Sequence, residues 1–375
     1  MLAANSVLSL LNVSRCRLGE RGGAAVGVGL ASNTALRTLF LNRCSLEDRA
    51  GTSIGKSLRM NSTLTALYLQ ENALGDLAAL ALAEGLNNNK TVVRVFLDNN
   101  KIKDAGGTAI GRMLRSNSSI AVLSLRSNMI GDRGGASIGE GLTLNATLKT
   151  FFLQFNRLGE EAGLSIGQAL NTNVTIERLY LNDNQLGNSA GRMIAKALHS
   201  NPVQALMELD LRGNAFTYAV VQELVPACVS WAQVDIRRAV KLFRRASITG
   251  HTLDMGNSGI GGTEEQCFWL LGIFSTNRLL SKIVLRKNNI TDAVGIEIAK
   301  CLEKNPSAVL REVLLDSNEL GDDAAEALAN AIDMTPALHG IKLNLYGHDF
   351  EPDTRQLLAD IAADTGSTIL FDDGY

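Results

Sequence analysis

A single spacing of apolar residues recurs along almost the whole chain and restricts the folds open to it. The pattern is apolar-x-x-apolar-x-apolar-x-x-Asn-x-apolar, and each of its first seven copies begins 28 residues after the one before. These copies begin at Leu8, Leu36, Leu64, Val92, Ile120, Leu148 and Ile176. Later copies begin at Leu206, Leu280, Leu310 and Leu338, and a degenerate copy contains Leu253 and Met255. A fixed period of this length indicates a repeat array, in which each unit buries its apolar face against its neighbours.

Each unit combines a short strand with a helix, which predicts an α/β fold. In the third unit Leu67 and Leu69 alternate with other residues, as in a strand with one buried face. Apolar residues four apart, such as Ile54 and Leu58, then predict a helix whose stripe faces the strands. A polar residue precedes each helix, and we expect its side chain to accept hydrogen bonds from the free N–H groups of that helix. These residues are Glu20, Asp48, Asp76, Asp104, Asp132, Glu160, Asn188, Asp292 and Asp322.

Asparagine and glycine also recur at fixed positions of the repeat. The position written Asn in the pattern is an asparagine in most units. Its amide is expected to bond to backbone groups of the turn after the strand. These asparagines are Asn72, Asn100, Asn128, Asn156, Asn184, Asn214, Asn288 and Asn318. Glycines stand inside the predicted helices although they weaken helices, which indicates a close approach of helix to sheet. These glycines are Gly23, Gly51, Gly107, Gly135, Gly163 and Gly191.

On these residues the sequence resembles leucine-rich repeat proteins of the ribonuclease-inhibitor-like subfamily. The 28-residue unit also resembles repeats of the Ran GTPase-activating protein and of NOD-like receptors, and the resemblance covers roughly residues 5–350. It implies an α/β leucine-rich repeat solenoid shaped as a horseshoe, with parallel strands on the concave face and helices on the convex face. A concave surface built from about twelve strands, spaced ~4.8 Å apart, suits a macromolecular partner.

The ends and one internal stretch depart from the period. We assign residues 1–350 to the array, with an irregular insertion at about 217–250, and residues 351–375 to a C-terminal cap that contains a helix and a final strand. The chain begins in mid-pattern, so its first strand is expected to present an apolar edge. Within the insertion, Val234 and Ile236 fit an irregular strand. We favour a helix, with one apolar stripe formed by Ile236, Ala239, Val240 and Phe243.

Basic residues lie beside that stripe, namely Arg237, Arg238, Lys241, Arg244 and Arg245. They form a possible basic patch for an acidic partner. The simpler interpretation is a solvated face on an insertion that is docked by its apolar side.

Composition and motif searches exclude several classes of function. The net charge is −2, and no run approaches the ~20 apolar residues that cross a bilayer, so neither nucleic acid nor a membrane is an expected partner. Five cysteines and four histidines show no metal spacing, and we expect no metal, no cofactor and a cytoplasmic location. Residues 50–57 mimic a phosphate-binding loop around Gly55 and Lys56. Their register places them inside a helix, which argues against nucleotide binding.

The residues between the two inner leucines of each strand are the most informative about function. Because strand side chains alternate, these residues face away from the core, towards the concave surface. In chain order they are Asn12, Phe40, Tyr68, Phe96, Ser124, Phe152, Tyr180, Asp210, Asp254, Val284, Leu314 and Lys342. Five of the first seven are aromatic in a chain with only 5% aromatic residues. Aromatic residues are enriched at binding hot spots, although neighbouring rings could also simply pack on one another.

The candidate partner-binding residues are Phe40, Tyr68, Phe96, Phe152, Phe155, Tyr180, Asp210 and Asp254. Charged residues beside them are segregated: the middle units are acidic and the late units basic, with Lys282, Arg286, Lys287, Arg311 and Lys342. Such segregation would hold a protein partner in register.

These features predict a non-catalytic scaffold that binds a protein on its concave face, alone or as part of a larger assembly. No catalytic residue and no small-molecule substrate are expected. The alternative is a GTPase-activating protein that resembles the Ran activator. No activating arginine or asparagine can be assigned for that alternative, and the chain lacks the long acidic tail that the resemblance would imply.

Overall fold

The computed structural model describes residues 2–201, 205–216, 220, 223–224, 227, 239–243, 246–249, 251–257, 271, 274, 280–304 and 309–372. The chain divides into two compact units, Met1–Phe216 and Thr217–Tyr375.

Among its described residues, the first unit alternates eight short strands with seven α-helices. Its strands are β1 (Leu10–Asn12), β2 (Thr38–Phe40), β3 (Ala66–Tyr68), β4 (Arg94–Phe96), β5 (Val122–Ser124), β6 (Thr150–Phe152), β7 (Arg178–Tyr180) and β8 (Glu208–Asp210). Its helices are α1 (Gly19–Ser32), α2 (Asp48–Leu58), α3 (Asp76–Asn87), α4 (Asp104–Leu114), α5 (Asp132–Leu144), α6 (Glu160–Leu170) and α7 (Asn188–Ser200). Each strand pairs in parallel with the next, in chain order. This unit is an α/β leucine-rich repeat solenoid, as the period predicts.

The core of this unit lies between the sheet and the helices. In the second repeat Leu39 and Leu41 are fully buried, whereas Phe40 between them is only partly buried. Ile54 and Leu58 of α2 are fully buried on the other side of the same core. The strand alternation and the helical stripe are therefore confirmed, and Phe40 lies on the face of the sheet opposite the helices, which we call the strand face.

The acidic residues at the helix starts do not cap their own helices, and this expectation is wrong. Asp104 is the first residue of α4, and its Oδ1 accepts hydrogen bonds from the backbone N–H groups of Gly131 (2.8 Å) and Gly134 (2.9 Å). Both donors belong to the start of α5. Inside the first turn the side chain of Asp104 leans towards the neighbouring repeat, so its carboxylate caps the following helix. Asp48, Asp76, Asp132 and Asp292 do the same.

The repeated asparagines bond to the backbone of the turn, as expected, and also to the preceding repeat. Nδ2 of Asn128 donates to the carbonyl of Leu125 in its own repeat (3.0 Å) and to that of Leu97 in the repeat before (3.0 Å). Its Oδ1 accepts from the N–H of Ile102, again in the repeat before (3.1 Å). Each asparagine therefore fixes the position of two adjacent repeats, and we call this set the asparagine ladder.

A second set of asparagines follows the helices, and each stands in an Asn-x-Ser/Thr triplet, the acceptor sequence for N-glycosylation. Asn61, Asn89, Asn117, Asn145 and Asn173 are 3–5% exposed. Nδ2 of Asn117, for example, donates to the carbonyl of Leu86 at 2.7 Å. A glycan on such an amide would remove this bond and could not be accommodated, so these sequons are structural.

The helical glycines allow close approach, but the neighbour is a helix and not the sheet. A Cβ on Gly51 would collide with the Cβ of Ala78 on α3, and one on Gly163 would collide with that of Ala190 on α7. The expected contact with the sheet is thus wrong, because the helices of successive repeats pack side by side.

The described residues of the second unit include seven strands and three helices with defined bounds, and Val220, Glu223, Leu224, Ala227, Leu271 and Phe274 are also helical. The strands are β9 (Ala239–Phe243), β10 (Ala246–Thr249), β11 (Thr252–Asp254), β12 (Lys282–Val284), β13 (Glu312–Leu314), β14 (Lys342–Asn344) and β15 (Thr368–Leu370). The helices are α8 (Asp292–Glu303), α9 (Asp322–Met334) and α10 (Pro352–Thr365). Strands β9, β10 and β11 pair antiparallel, and β11 to β15 are parallel in chain order.

The helix favoured for the insertion is wrong where the chain is described, because Ala239–Phe243 is a strand. It pairs with Ala246–Thr249, and this partner satisfies backbone groups that a local apolar period cannot reveal. Of the predicted basic patch, Lys241 lies on this strand, whereas Arg237, Arg238, Arg244 and Arg245 lie outside the described residues.

Capping between repeats gives a direct test. Asp104→Ala removes two charge-assisted hydrogen bonds, and we expect it to lower the free energy of unfolding by about 1–2 kcal/mol. Because the bonds go to Gly131 and Gly134, hydrogen exchange should accelerate at the start of α5 and not at the start of α4. Glu161→Ala is the matched control, since Glu161 lies exposed in the first turn of α6. Equal losses in the two variants, or faster exchange confined to α4, would contradict this direction of capping.

Candidate functional site

Two stacks of aromatic rings occupy the strand face of the first unit. The rings of Phe40 and Tyr68 have centroids 4.2 Å apart, and those of Tyr68 and Phe96 are 4.8 Å apart. Phe152 and Tyr180 form a second stack at 4.7 Å with planes 7° apart. The rings were expected to be exposed, but all five are partly buried because neighbouring rings cover one another's faces. The rings therefore stack on one another, and their edges form an aromatic surface on the strand face.

A polar pair separates the two stacks. Ser124 stands where the row would have a ring, and its hydroxyl donates to Oδ1 of Asp98 at 2.5 Å. The other oxygen of Asp98, Oδ2, is buried and has no hydrogen-bond partner. Burial raises the pKa of Asp98, while the hydrogen bond from Ser124 and the charge of Arg126 oppose the rise. The gap between the stacks therefore contains a carboxylate with unused hydrogen-bonding capacity.

The last strands of this unit carry a second polar group. The hydroxyl of Tyr180 donates to Oε2 of Glu208 at 2.7 Å, and burial together with this bond raises the pKa of Tyr180. Asp210 was expected to be exposed but is 2% exposed. The guanidinium of Arg212 binds both of its oxygens, at 2.8 and 2.5 Å. Because Arg212 covers and neutralises this carboxylate, a partner would meet Arg212 before Asp210.

Phe155 projects beside the second stack because of an unusual backbone conformation. The residue before each ladder asparagine has a positive φ, and Phe155 has φ 58°. Its N–H donates to the carbonyl of Asn182 in the next repeat at 3.1 Å, which offsets part of the strain. The side chain is 44% exposed, and the guanidinium of Arg126 lies 5.2 Å from the ring centroid. Exposed Phe155 and its cation extend the aromatic surface.

Ion pairs across neighbouring repeats reduce the predicted charge segregation. Nε of Arg43 lies 2.5 Å from Glu71, and Nζ of Lys149 lies 2.8 Å from Glu177. In the second unit Glu312 bonds to both Lys282 (2.7 Å) and Lys342 (3.3 Å), which lowers the pKa of Glu312. The late units are therefore less basic than their lysines suggest.

The strand face of the second unit differs from the predicted row. Asp254 is exposed as expected, but Val284 and Leu314 are buried, at 2% and 5% exposure. Strand pairing aligns Leu314 with Asn344, which lies two residues beyond Lys342. Lys342 is therefore not in the same row as Leu314, and its assignment to that row is wrong. The aromatic surface belongs to the first unit.

Other candidate chemistry finds no support among the described residues. Gly55 and Lys56 lie inside α2, and the hydroxyl of Ser57 is buried and donates to the carbonyl of Ile54 at 2.6 Å. The phosphate-loop resemblance is therefore a helix, as predicted. The described part of the chain holds no group of metal-ligating side chains. Within that same part, every helix is too short or too polar to span a bilayer.

Sequence reasoning missed the role of Asp98. In the sequence it is one of several charged residues that lie beside the aromatic row. The available signal was the break in that row at Ser124, whose small hydroxyl leaves space for the carboxylate of the preceding repeat.

Comparison with known proteins identifies the repeat. A family profile described as "Leucine Rich repeat" matches residues 61–83, 116–139 and 172–195, so leucine-rich repeats are present in this chain. No match is found among curated proteins.

Several solved structures are similar to the chain. An internalin from Listeria monocytogenes str. 4b F2365 is 14% identical over 98% of this chain and 87% of its own, with a TM-score of 0.46. The PEPR1–AtPEP1 structure is 18% identical over 92% of this chain and 46% of its own, with a TM-score of 0.43. Leiomodin-1 actin-binding site 2 is 22% identical over 31% of this chain and 68% of its own, with a TM-score of 0.30.

The environment of Asp98 predicts a pH-dependent effect on stability. Because burial raises the pKa of Asp98, folding favours the protonated carboxyl. The stability that this protonated carboxyl contributes is complete below the unfolded pKa of about 3.9 and is lost as the pH rises through the folded pKa. Asp98→Asn should therefore raise the midpoint of urea unfolding at pH 7 and leave it unchanged at pH 3. Asp353→Asn, at an exposed position of α10, should change neither midpoint. An Asp98→Asn variant less stable than the wild type at pH 7 would show that the carboxylate stabilises the fold.

Proposed function

We propose that this protein is a non-catalytic scaffold that binds a protein partner on the strand face of its first unit. The observation that carries the proposal is the pair of aromatic stacks on either side of Asp98. The contact surface consists of Phe40, Tyr68, Phe96, Phe152 and Tyr180, with Phe155 beside them. Leucine-rich repeat proteins generally mediate protein–protein interaction, and the proposal applies that role to this surface.

The free-energy contributions of the aromatic rings and of Asp98 on this surface favour binding of a partner more than they favour folding. Partly buried aromatic rings give a partner large contact area at a small loss of side-chain entropy. Burying the carboxylate of Asp98 with one oxygen unbonded lowers stability, and buried polar groups of this kind require a reason for being there. Oδ2 is itself buried, so a hydrogen-bond donor on the partner would reach it only after neighbouring side chains move aside. The surface thus combines apolar contact with one polar group that fixes orientation.

The finer assignments belong to the same proposal. We assign the chain to the ribonuclease-inhibitor-like subfamily on its 28-residue period, and we expect a cytoplasmic location and no enzymatic activity. Asp254 of the second unit and the basic residues near Lys241 are secondary candidates for contact. The GTPase-activating alternative has no residue assigned to it, and single-turnover GTP hydrolysis with small GTPases would detect it.

Replacing three stacked rings tests the proposed surface. The triple variant Phe40→Ala/Tyr68→Ala/Phe96→Ala should weaken binding to the partner by more than tenfold, about 1.4 kcal/mol. Its free energy of unfolding should fall less than that of Leu125→Ala, which removes a fully buried side chain and should cost about 2–5 kcal/mol. The partner would be identified by crosslinking and mass spectrometry in native extract, and its affinity measured by titration calorimetry.

Tyr346→Ala is the matched control, since Tyr346 is a 44% exposed aromatic residue of the second unit. It should leave binding unchanged. If the triple variant unfolds as readily as Leu125→Ala, the rings are structural. If it binds the partner as tightly as the wild type does, the site lies elsewhere.

A further inference from the structure

A groove opens on the helix side of the first unit, between α3 and α4. It is open to solvent and has a volume of about 470 Å³, within the range of roughly 300–1,000 Å³ that is typical of ligand sites. Its apolar lining comes from Leu80 and Ala83 of α3 and from Ala109 and Met113 of α4. Arg59, Glu84, Asn87, Asn88 and Arg112 complete the lining.

The repeat register explains why the groove lies between these two helices. At the position of Ala83 the neighbouring helices have Gly55 and Gly111. A Cβ on Gly55 would collide with the backbone of Ala81, and one on Gly111 with that of Ser137. Glycine thus lets those helices touch the next one, whereas the methyl group of Ala83 keeps α4 away from α3.

Met113 enlarges the same separation. Its register position is glycine in the helices on either side, at Gly85 and Gly141. Those glycines lie against backbone carbonyls of the preceding helix, namely those of Gly55 and Gly111. The long side chain of Met113 fills this space and is 2% exposed. Two substitutions that break the period therefore meet at one interface. Ala83 and Met113 form a buried floor, at 3% and 2% exposure, and Leu80, at 44%, is the accessible apolar side chain above it.

Two cations border this floor without partners of their own. Arg59 follows the last residue of α2 and Arg112 lies in the last turn of α4, and both are exposed. Neither forms an ion pair or a side-chain hydrogen bond with a described residue. The carbonyls at the ends of their helices do not require them either, because those of Leu58 and Leu114 already accept bonds from Asn89 and Asn145.

We propose that the groove between α3 and α4 binds a peptide segment in which a large apolar side chain is flanked by carboxylates. The apolar side chain would lie between Leu80 and Met113, and the carboxylates would pair with Arg59 and Arg112. Glu84 on the rim disfavours a uniformly acidic segment and favours one with a central apolar anchor. This site lies on the opposite side of the unit from the strand face, so the proposal does not depend on whether the strand face binds a partner.

A fluorescein-labelled decapeptide with central leucine and phenylalanine flanked by glutamates tests the proposal on the full chain. We expect saturable binding by fluorescence anisotropy, with a Kd of about 100 µM. The variant Arg59→Glu/Arg112→Glu should weaken it by more than about tenfold. Ala83→Leu keeps both cations and fills the floor, and it should weaken binding to a similar extent.

The controls separate a groove from a merely basic surface. Arg133→Glu/Arg157→Glu makes the same change of charge on exposed residues outside the groove and should leave the affinity unchanged. Peptides with lysine in place of glutamate, or with alanine in place of leucine and phenylalanine, should not bind. Absence of binding by the acidic peptide, equal loss in both double variants, or full binding by Ala83→Leu would each overturn the proposal. Urea unfolding of every variant verifies that the chain remains folded.

Discussion

The side-chain amides of the asparagine ladder tie most repeats of the first unit to their neighbours. Asn128 donates to carbonyls of two successive repeats and accepts an N–H from the earlier one. These groups lie in a buried turn, where an unpaired backbone group would be costly. Because the same bonds recur at Asn100 and Asn156, each repeat can take only one position relative to the next. The register of the strands, and hence of every surface row, depends on this constraint.

Because the repeats are aligned, residues that recur with the sequence period form rows on the surface. Residues one period apart lie on adjacent strands, as Phe40, Tyr68 and Phe96 do, and their rings stack. The same alignment places Ser124 beside Asp98 and lets a carboxylate occupy the gap between two stacks. Departures from the period then create local features on an otherwise uniform array. Ser124 creates the polar gap on the strand face, and Ala83 with Met113 creates the groove on the helix side.

The sequence predicts well whatever depends on the period alone. Strand alternation identifies Leu39 and Leu41 as core, and the helical stripe identifies Ile54 and Leu58. The direction of contacts between repeats is not contained in the period. Asp104 was therefore assigned to its own helix, although it caps the next one.

Predictions also failed where a tertiary partner overrides local pattern. The stretch Ala239–Phe243 has a helical apolar spacing but pairs as a strand with Ala246–Thr249. Asp210 occupies an outward position but is covered by Arg212, two residues further along. Partial burial of the aromatic rings likewise follows from neighbours 28 residues away, which alternation within one strand cannot show.

The central claim is that a protein partner contacts the strand face of the first unit. Photo-crosslinking from a benzoylphenylalanine introduced at Phe96 tests it most directly, with the same group introduced at Val28 as the control. Val28 is 72% exposed on α1 and lies on neither the strand face nor the groove. In native extract, illumination should produce a discrete adduct of one protein from position 96 and none from position 28. An adduct from position 28 with none from position 96 would contradict the account.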